Sequence, residues 1–217
     1  MRQIALSGWS SLARLLTRRH SFKLRWLIAC WLMPLAAHAA PVILVFGDSL
    51  SAGYGLTQQQ SWVALLGQKL APAYQVINAS VSGETTAGGL SRLDAALAQH
   101  KPAIVVLELG ANDGLRGLPL KLSKRNLGSM IDKARQAKAK VLLVGMQLPP
   151  NFGKSYSQQF AGMYSELAQS HKVPLLPFLL DGFADKPEWF QNDMIHPTAA
   201  AQPHIANTVE RALKQVK

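Results

Sequence analysis

The chain has 217 residues, 48% of them hydrophobic and 16% charged, with one cysteine and a formal net charge of +11. That balance excludes a disordered chain, a disulfide scaffold and a Cys-rich zinc module, while the length suits one domain with a full-sized core. The charge is no mark of a nucleic-acid binder: residues 1–39 hold six Lys/Arg and no acid, leaving 17 bases against 12 acids for the rest.

The first element is a leader. Residues 26–37 form an uncharged apolar run, preceded by Arg18, Arg19, Lys23 and Arg25 and followed by Ala37-His38-Ala39. A basic segment, a short apolar segment and an A-x-A site together describe a secretory signal peptide over 1–39, with cleavage after Ala39 and a periplasmic or secreted product. The run falls short of the ~20 residues that span a bilayer, and Pro34 interrupts it, so a retained anchor is the lesser alternative. Leu27-Ile28-Ala29-Cys30 resembles a lipoprotein processing site, but only four apolar residues separate Arg25 from Cys30. Thr17-Arg18-Arg19 fits a twin-arginine signal only loosely. Cleavage after Ala39 would remove the only cysteine and with it any thiol or disulfide chemistry.

From Ala40 onward, strand-like and helix-period runs alternate. The strand candidates are 42–46, 75–78, 104–109, 141–145 and a shorter 173–178, and runs such as Ile104-Val105-Val106-Leu107 are apolar without alternation, as in parallel strands buried on both faces. Between them, Trp62/Leu65/Leu66, Leu127/Met130/Ile131/Ala134 and Phe160/Met163/Tyr164/Leu167 repeat at helical spacing. Ile205, Val209, Ala212, Leu213 and Val216 close the chain in the same way, after Pro203. Five such alternations predict a three-layer α/β/α domain over 40–217 around a doubly wound, parallel five-stranded sheet. Ligands of such sheets bind beyond the carboxyl ends of the strands.

Four polar clusters stand at those ends. Gly47-Asp48-Ser49-Leu50-Ser51 follows the first strand and exposes a serine at a strand-to-helix turn, although Ser49 or Ser51 taken alone reads better as a helix cap. Gly83, after the second strand, offers an N–H with no side chain in the way, or serves as an ordinary turn glycine. Asn112, in Gly110-Ala111-Asn112-Asp113-Gly114, puts an amide beyond the third strand, in a composition that also suits a plain turn. In Asn192-Asp193-Met194-Ile195-His196-Pro197 the acid lies three residues before the histidine. It can hold one imidazole nitrogen and leave the other free to take a serine proton.

Together these blocks resemble the SGNH hydrolases, also called GDSL esterases. Residues 47–55 (GDSLSAGYG), 78–85 (NASVSGET), 108–117 (ELGANDGLRG) and 195–203 (IHPTAAAQP) are similar to the branch of periplasmic thioesterases, lysophospholipases and arylesterases, and the likeness runs in order over 41–214. The resemblance implies the flavodoxin-like fold of that family, a triad of Ser49, Asp193 and His196, and an oxyanion hole made by Ser49, Gly83 and Asn112. It implies a loop over the acyl chain at residues 114–120, with Leu115, Leu148 and Ile195 as candidate substrate contacts. Two departures stand out. Ala111 replaces a glycine common in relatives, and Met194 replaces another beside the triad, where it could narrow the pocket or alter the turn. Asp113 is expected to have a structural role.

The expected function is hydrolysis of acyl esters, thioesters or lysophospholipids through an acyl-enzyme, with no metal, no cofactor and no nucleic-acid partner, by a monomer. The runner-up is an acetyl esterase acting on a polysaccharide, with Trp189 and Phe190 stacking on sugars. A binding protein on an inert hydrolase scaffold is the non-enzyme alternative. The basic cluster Lys121, Lys124, Arg125, Lys133, Arg135, Lys138 and Lys140 reads as a solvated helix face, with transient contact to an anionic membrane surface as its functional option.

Overall fold

A computed structural model describes residues 39–216. The expected leader, its cleavage site before Ala40 and Cys30 lie outside the described residues, except for Ala39 itself.

Five parallel strands form one sheet in the order β2-β1-β3-β4-β5. They are β1 (Val42–Gly47), β2 (Gln75–Asn78), β3 (Ile104–Glu108), β4 (Lys140–Val144) and β5 (Leu175–Leu176). The helices are α1 (Ser49–Ala52), α2 (Trp62–Leu70), α3 (Thr86–His100), α4 (Ala111–Leu115), α5 (Leu120–Gln136), α6 (Lys154–His171) and α7 (Gln202–Leu213). Helices α2 and α7 pack together on one side, and α3, α5 and α6 pack in succession on the other. The three-layer expectation holds. Strand order reverses between β1 and β3, so a crevice opens at their carboxyl ends.

The central strands owe their apolar runs to this double cover. Ile43 through Phe46, Val105 through Leu107 and Val141 through Val144 are all buried. The predicted helix stripes face the same core: Leu127, Met130, Ile131 and Ala134 from α5, and Phe160, Met163, Tyr164 and Leu167 from α6. Fully buried Trp62 ties α2 to α1 and α7, since its indole donates to Leu50 O at 3.1 Å and its backbone N–H donates to Gln202 Oε1 at 2.9 Å.

The last strand is shorter than the run 173–178 suggests. Pro174 and Pro177 bracket Leu175–Leu176, and neither proline can donate to a ladder. The edge survives through its carbonyls, with Leu143 N–H donating to Pro174 O and Gly145 N–H to Leu176 O.

Candidate active site

Strand β1 ends at Gly47, where any Cβ would come within 2.5 Å of Glu108 Oε2 and 2.8 Å of Ser51 Oγ. Only glycine fits between the first turn of α1 and the end of β3. Asp48 then caps α1, its Oδ1 accepting the Leu50 N–H at 3.0 Å, and Ser49 becomes the first helical residue. The helix has no carbonyl one turn back for the Ser49 N–H. Serine, cap and free N–H thus all follow from the same turn.

The loop before α7 brings the histidine to that serine. His196 Nε2 lies 2.8 Å from Ser49 Oγ, and His196 Nδ1 lies 2.6 Å from Asp193 Oδ2. The other Asp193 oxygen accepts the N–H groups of Ile195 and His196, each at 2.9 Å. Partial burial pushes the Asp193 carboxyl upward, but the His196 N–H, its ring and the Ile195 N–H outweigh that and hold it at about 2. Asp193 therefore stays ionised wherever an imidazolium forms beside it. Tyr54 lies against the imidazole, ring centroids 4.4 Å apart, and Gln191 clasps both loops by donating to Tyr54 O and Pro197 O.

The turn after β2 reaches the same place. Val81 N–H donates to Gly47 O at 3.0 Å, and Gly83 takes φ +76, a conformation that disfavours any side chain. Arg116 Nη2 donates to Gly83 O at 3.0 Å and lies 3.5 Å from Asn112 Oδ1. Asn112 Nδ2 donates to Asp48 Oδ2 at 3.1 Å. Among the described residues neither the Ser49 nor the Gly83 N–H donates to another backbone group outside its own element. The five residues expected at the triad and oxyanion hole converge on one mouth.

The remaining residues fall out as follows. Asp113 is buried and accepts from Thr86 N, Thr86 Oγ1 and Ser123 Oγ at 2.8, 2.5 and 2.9 Å, which fastens α3 and α5 to the turn holding Asn112. Its structural expectation holds. Leu115 is half-buried and Ile195 is exposed at the mouth, whereas Leu148 is buried below, against Gly114 and Phe160. Met194 is 56% exposed and takes φ +57, the left-handed turn conformation that favours glycine. Trp189 and Phe190 stack on Phe183, at centroid distances of 5.2 and 5.7 Å, and pack against the core; the sugar-stacking expectation finds no exposed aromatic pair there. Part of the basic cluster is neutralised, Lys124 by Glu166 and Lys133 by Asp94.

Sequence reasoning gave no role to Tyr54, Arg116, Gln191 or Asp48, and passed over Glu108. Glu108 is fully buried at the end of β3, where its Oε2 accepts Ser51 Oγ–H at 2.7 Å and Asp48 N–H at 3.3 Å. Its available signal was a carboxylate inside an otherwise apolar strand. Among the described residues no three His, Cys, Asp or Glu side chains group as metal ligands do.

The GDSL-like Lipase/Acylhydrolase family matches residues 45–202, and the chain belongs to that family of SGNH hydrolases. It is 51% identical to Esterase TesA of Pseudomonas aeruginosa over 81% of this chain and 89% of the relative. It is 44% identical to an Arylesterase of Vibrio mimicus (86% and 95%) and 43% identical to Thioesterase 1/protease 1/lysophospholipase L1 of Escherichia coli strain K12 (84% and 88%). The solved structure of TesA superposes with a TM-score of 0.78 at 50% identity, covering 81% of this chain and 99% of that one. With such relatives the chain is a carboxylic ester hydrolase of the TesA type.

Proposed function

We propose that residues 40–217 form an exported serine esterase, delivered by a cleaved leader over 1–39, that hydrolyses acyl esters, thioesters or lysophospholipids through an acyl-enzyme. One observation carries the reading: the hydrogen-bonded chain from Ser49 Oγ to His196 Nε2 at 2.8 Å and from His196 Nδ1 to Asp193 Oδ2 at 2.6 Å.

In the first half-reaction His196 takes the Ser49 proton while Oγ attacks the substrate carbonyl carbon. Ionised Asp193 fixes the tautomer with Nδ1–H toward itself and stabilises the imidazolium. The carbonyl oxygen gains negative charge, which the N–H groups of Ser49 and Gly83 and the Asn112 amide stabilise; losing one such donor typically costs about 10²–10³ in turnover. His196 returns the proton to the leaving alcohol or thiol, and the acyl group remains on Ser49. Water then attacks the acyl-enzyme by the same route in reverse. Leu115 and Ile195 supply apolar surface for the acyl chain, and buried Leu148 supports it from below.

Hydrolysis of p-nitrophenyl esters from acetyl to palmitoyl by residues 40–217, with Ser49→Ala alongside, tests this. The expected result is activity at butyryl and longer that vanishes in Ser49→Ala. Activity confined to the acetyl ester would contradict the acyl groove, and activity retained by Ser49→Ala would contradict the nucleophile.

A further inference from the structure

Beneath the mouth lies a pair of buried carboxyls that the acyl-transfer steps do not use. Asp48 is 1% exposed and Glu108 is 0% exposed. The Asp48 N–H and the Ser51 hydroxyl both donate to Glu108 Oε2, and Glu108 Oε1 has no hydrogen-bond partner among the described residues. Burial is the largest influence on each. It pushes Glu108 well above the usual carboxylate range, with the Asp48 charge adding to it, and raises Asp48 to about 6 against the opposing effects of the Leu50 N–H, His196 and Asn112. Burial of both groups disfavours two charges in the pair, and the Leu50 N–H, His196 and Asn112 favour Asp48 as the one that carries charge.

That charge faces the amide that is to stabilise the oxyanion. An ionised carboxylate only accepts hydrogen bonds and a guanidinium only donates them. With Asp48 Oδ2 at 3.1 Å from one end of the Asn112 amide and Arg116 at 3.5 Å from the other, the nitrogen must face Asp48 and the oxygen must face Arg116. One Nδ2 hydrogen is spent on Asp48, and the planar amide points the second away from it. We propose that Asp48 and Glu108 are positioning residues for the oxyanion amide: Asp48 fixes the direction of the free Asn112 N–H, and Glu108 anchors Asp48 through its backbone N–H and Ser51. The inference rests on the reading of Ser49 and Asn112 given above. It adds a role for two groups outside the triad and the oxyanion hole.

Asp48→Asn is the informative change, because asparagine caps a helix as well as aspartate. If its oxygen keeps the Leu50 bond, its amide nitrogen opposes Asn112 Nδ2, donor against donor. The Asn112 amide must then turn over or shift. The test is a double-substitution cycle in p-nitrophenyl butyrate hydrolysis. Asp48→Asn alone should lower kcat about 10–100-fold with KM within about threefold, and in an Asn112→Ala background it should cost less than about threefold. Glu108→Ala should lower kcat about tenfold, and Glu108→Gln, which mimics the protonated acid, should recover most of that loss. Full loss from Asp48→Asn in both backgrounds would make Asp48 merely structural and overturn the proposal. So would an unchanged kcat in the single variant, or a Glu108→Gln as impaired as Glu108→Ala. If Glu108→Ala does not fold, the Asp48/Asn112 cycle decides. Ser49→Ala, run alongside, separates the two levels: its retained activity would remove the serine-esterase reading itself.

Discussion

Two carboxyls serve two serines of one turn in opposite surroundings, Asp193 reaching Ser49 through His196 and Glu108 accepting from Ser51. Asp193 sits on an exposed loop, receives two backbone N–H groups and the imidazole, and is held at about 2. Glu108 sits inside the end of β3 with no compensating charge among the described residues, and burial pushes it upward. The first is held toward its charged form and the second is pushed toward its neutral one. The difference shows that a carboxyl's role here is set by how many N–H groups reach it and how much water is excluded, not by its distance from the reacting atoms.

The comparison breaks most visibly at Asp193. Asp193→Asn should lower kcat by about 10³–10⁴ through the wrong imidazole tautomer. The loop is exposed, so loss of the charge should lower the melting temperature only modestly; a collapse of the fold would mean that the carboxylate holds the structure instead. Next comes Asn112→Ala, expected to lower kcat about 10²–10³-fold with KM nearly unchanged, since the donor acts on the transition state. Steady-state kinetics on a butyryl ester check both.

Stability against pH sharpens the contrast. Asp193 has a lowered folded-state pKa, so the folded state binds fewer protons and its contribution is lost as pH falls from 3.8 toward about 2. Glu108 has a raised one, so the folded state keeps a proton that the unfolded chain has released. Stability then declines as pH rises above the ordinary value of 4.5, until Glu108 itself ionises in the folded state. Asp48 adds to that decline between 3.8 and about 6. Denaturant unfolding from pH 4 to pH 8 should show a wild-type slope of up to about 1.4 kcal/mol per pH unit from Glu108 alone, which Glu108→Gln flattens. An equal slope in both proteins would mean that Glu108 ionises normally.

The smallest effect belongs to Met194. A side chain at φ +57 carries a left-handed strain of about 1 kcal/mol, so Met194→Gly should raise the melting temperature by about 2–4 °C. A fall would show that side-chain contacts at Met194 outweigh the backbone strain.

Much of this was legible in the sequence, for identifiable reasons. Strands covered on both faces must be continuously apolar, so β1, β3 and β4 announce themselves within a residue or so of their ends. Helices α5, α6 and α7 bury one stripe and show it. Helices α1 and α4 are four and five residues long, too short for any periodicity, and β5 was overread because Pro174 and Pro177 permit only two ladder residues. At the site, Ser49, Asn112, Asp193 and His196 were readable because each stands at a strand end or in a turn where a polar side chain needs a reason. Glu108 was not. A one-letter pattern does not say that a carboxyl in an apolar strand is pressed against a glycine from the strand beside it and a serine from the helix that follows. Tyr54 and Gln191 escaped for a similar cause, since their partners lie on the other side of the mouth, more than a hundred residues along the chain.

Ser49 is the proposed nucleophile, the group that would become acylated. A p-nitrophenyl alkylphosphonate tests it most directly, because its tetrahedral phosphorus bonds to an activated serine and releases p-nitrophenol. Peptide mass spectrometry after inactivation should place one phosphonyl group per chain on Ser49, with neither inactivation nor label in Ser49→Ala. A label on another residue, or ester hydrolysis that continues with Ser49 fully phosphonylated, would contradict it.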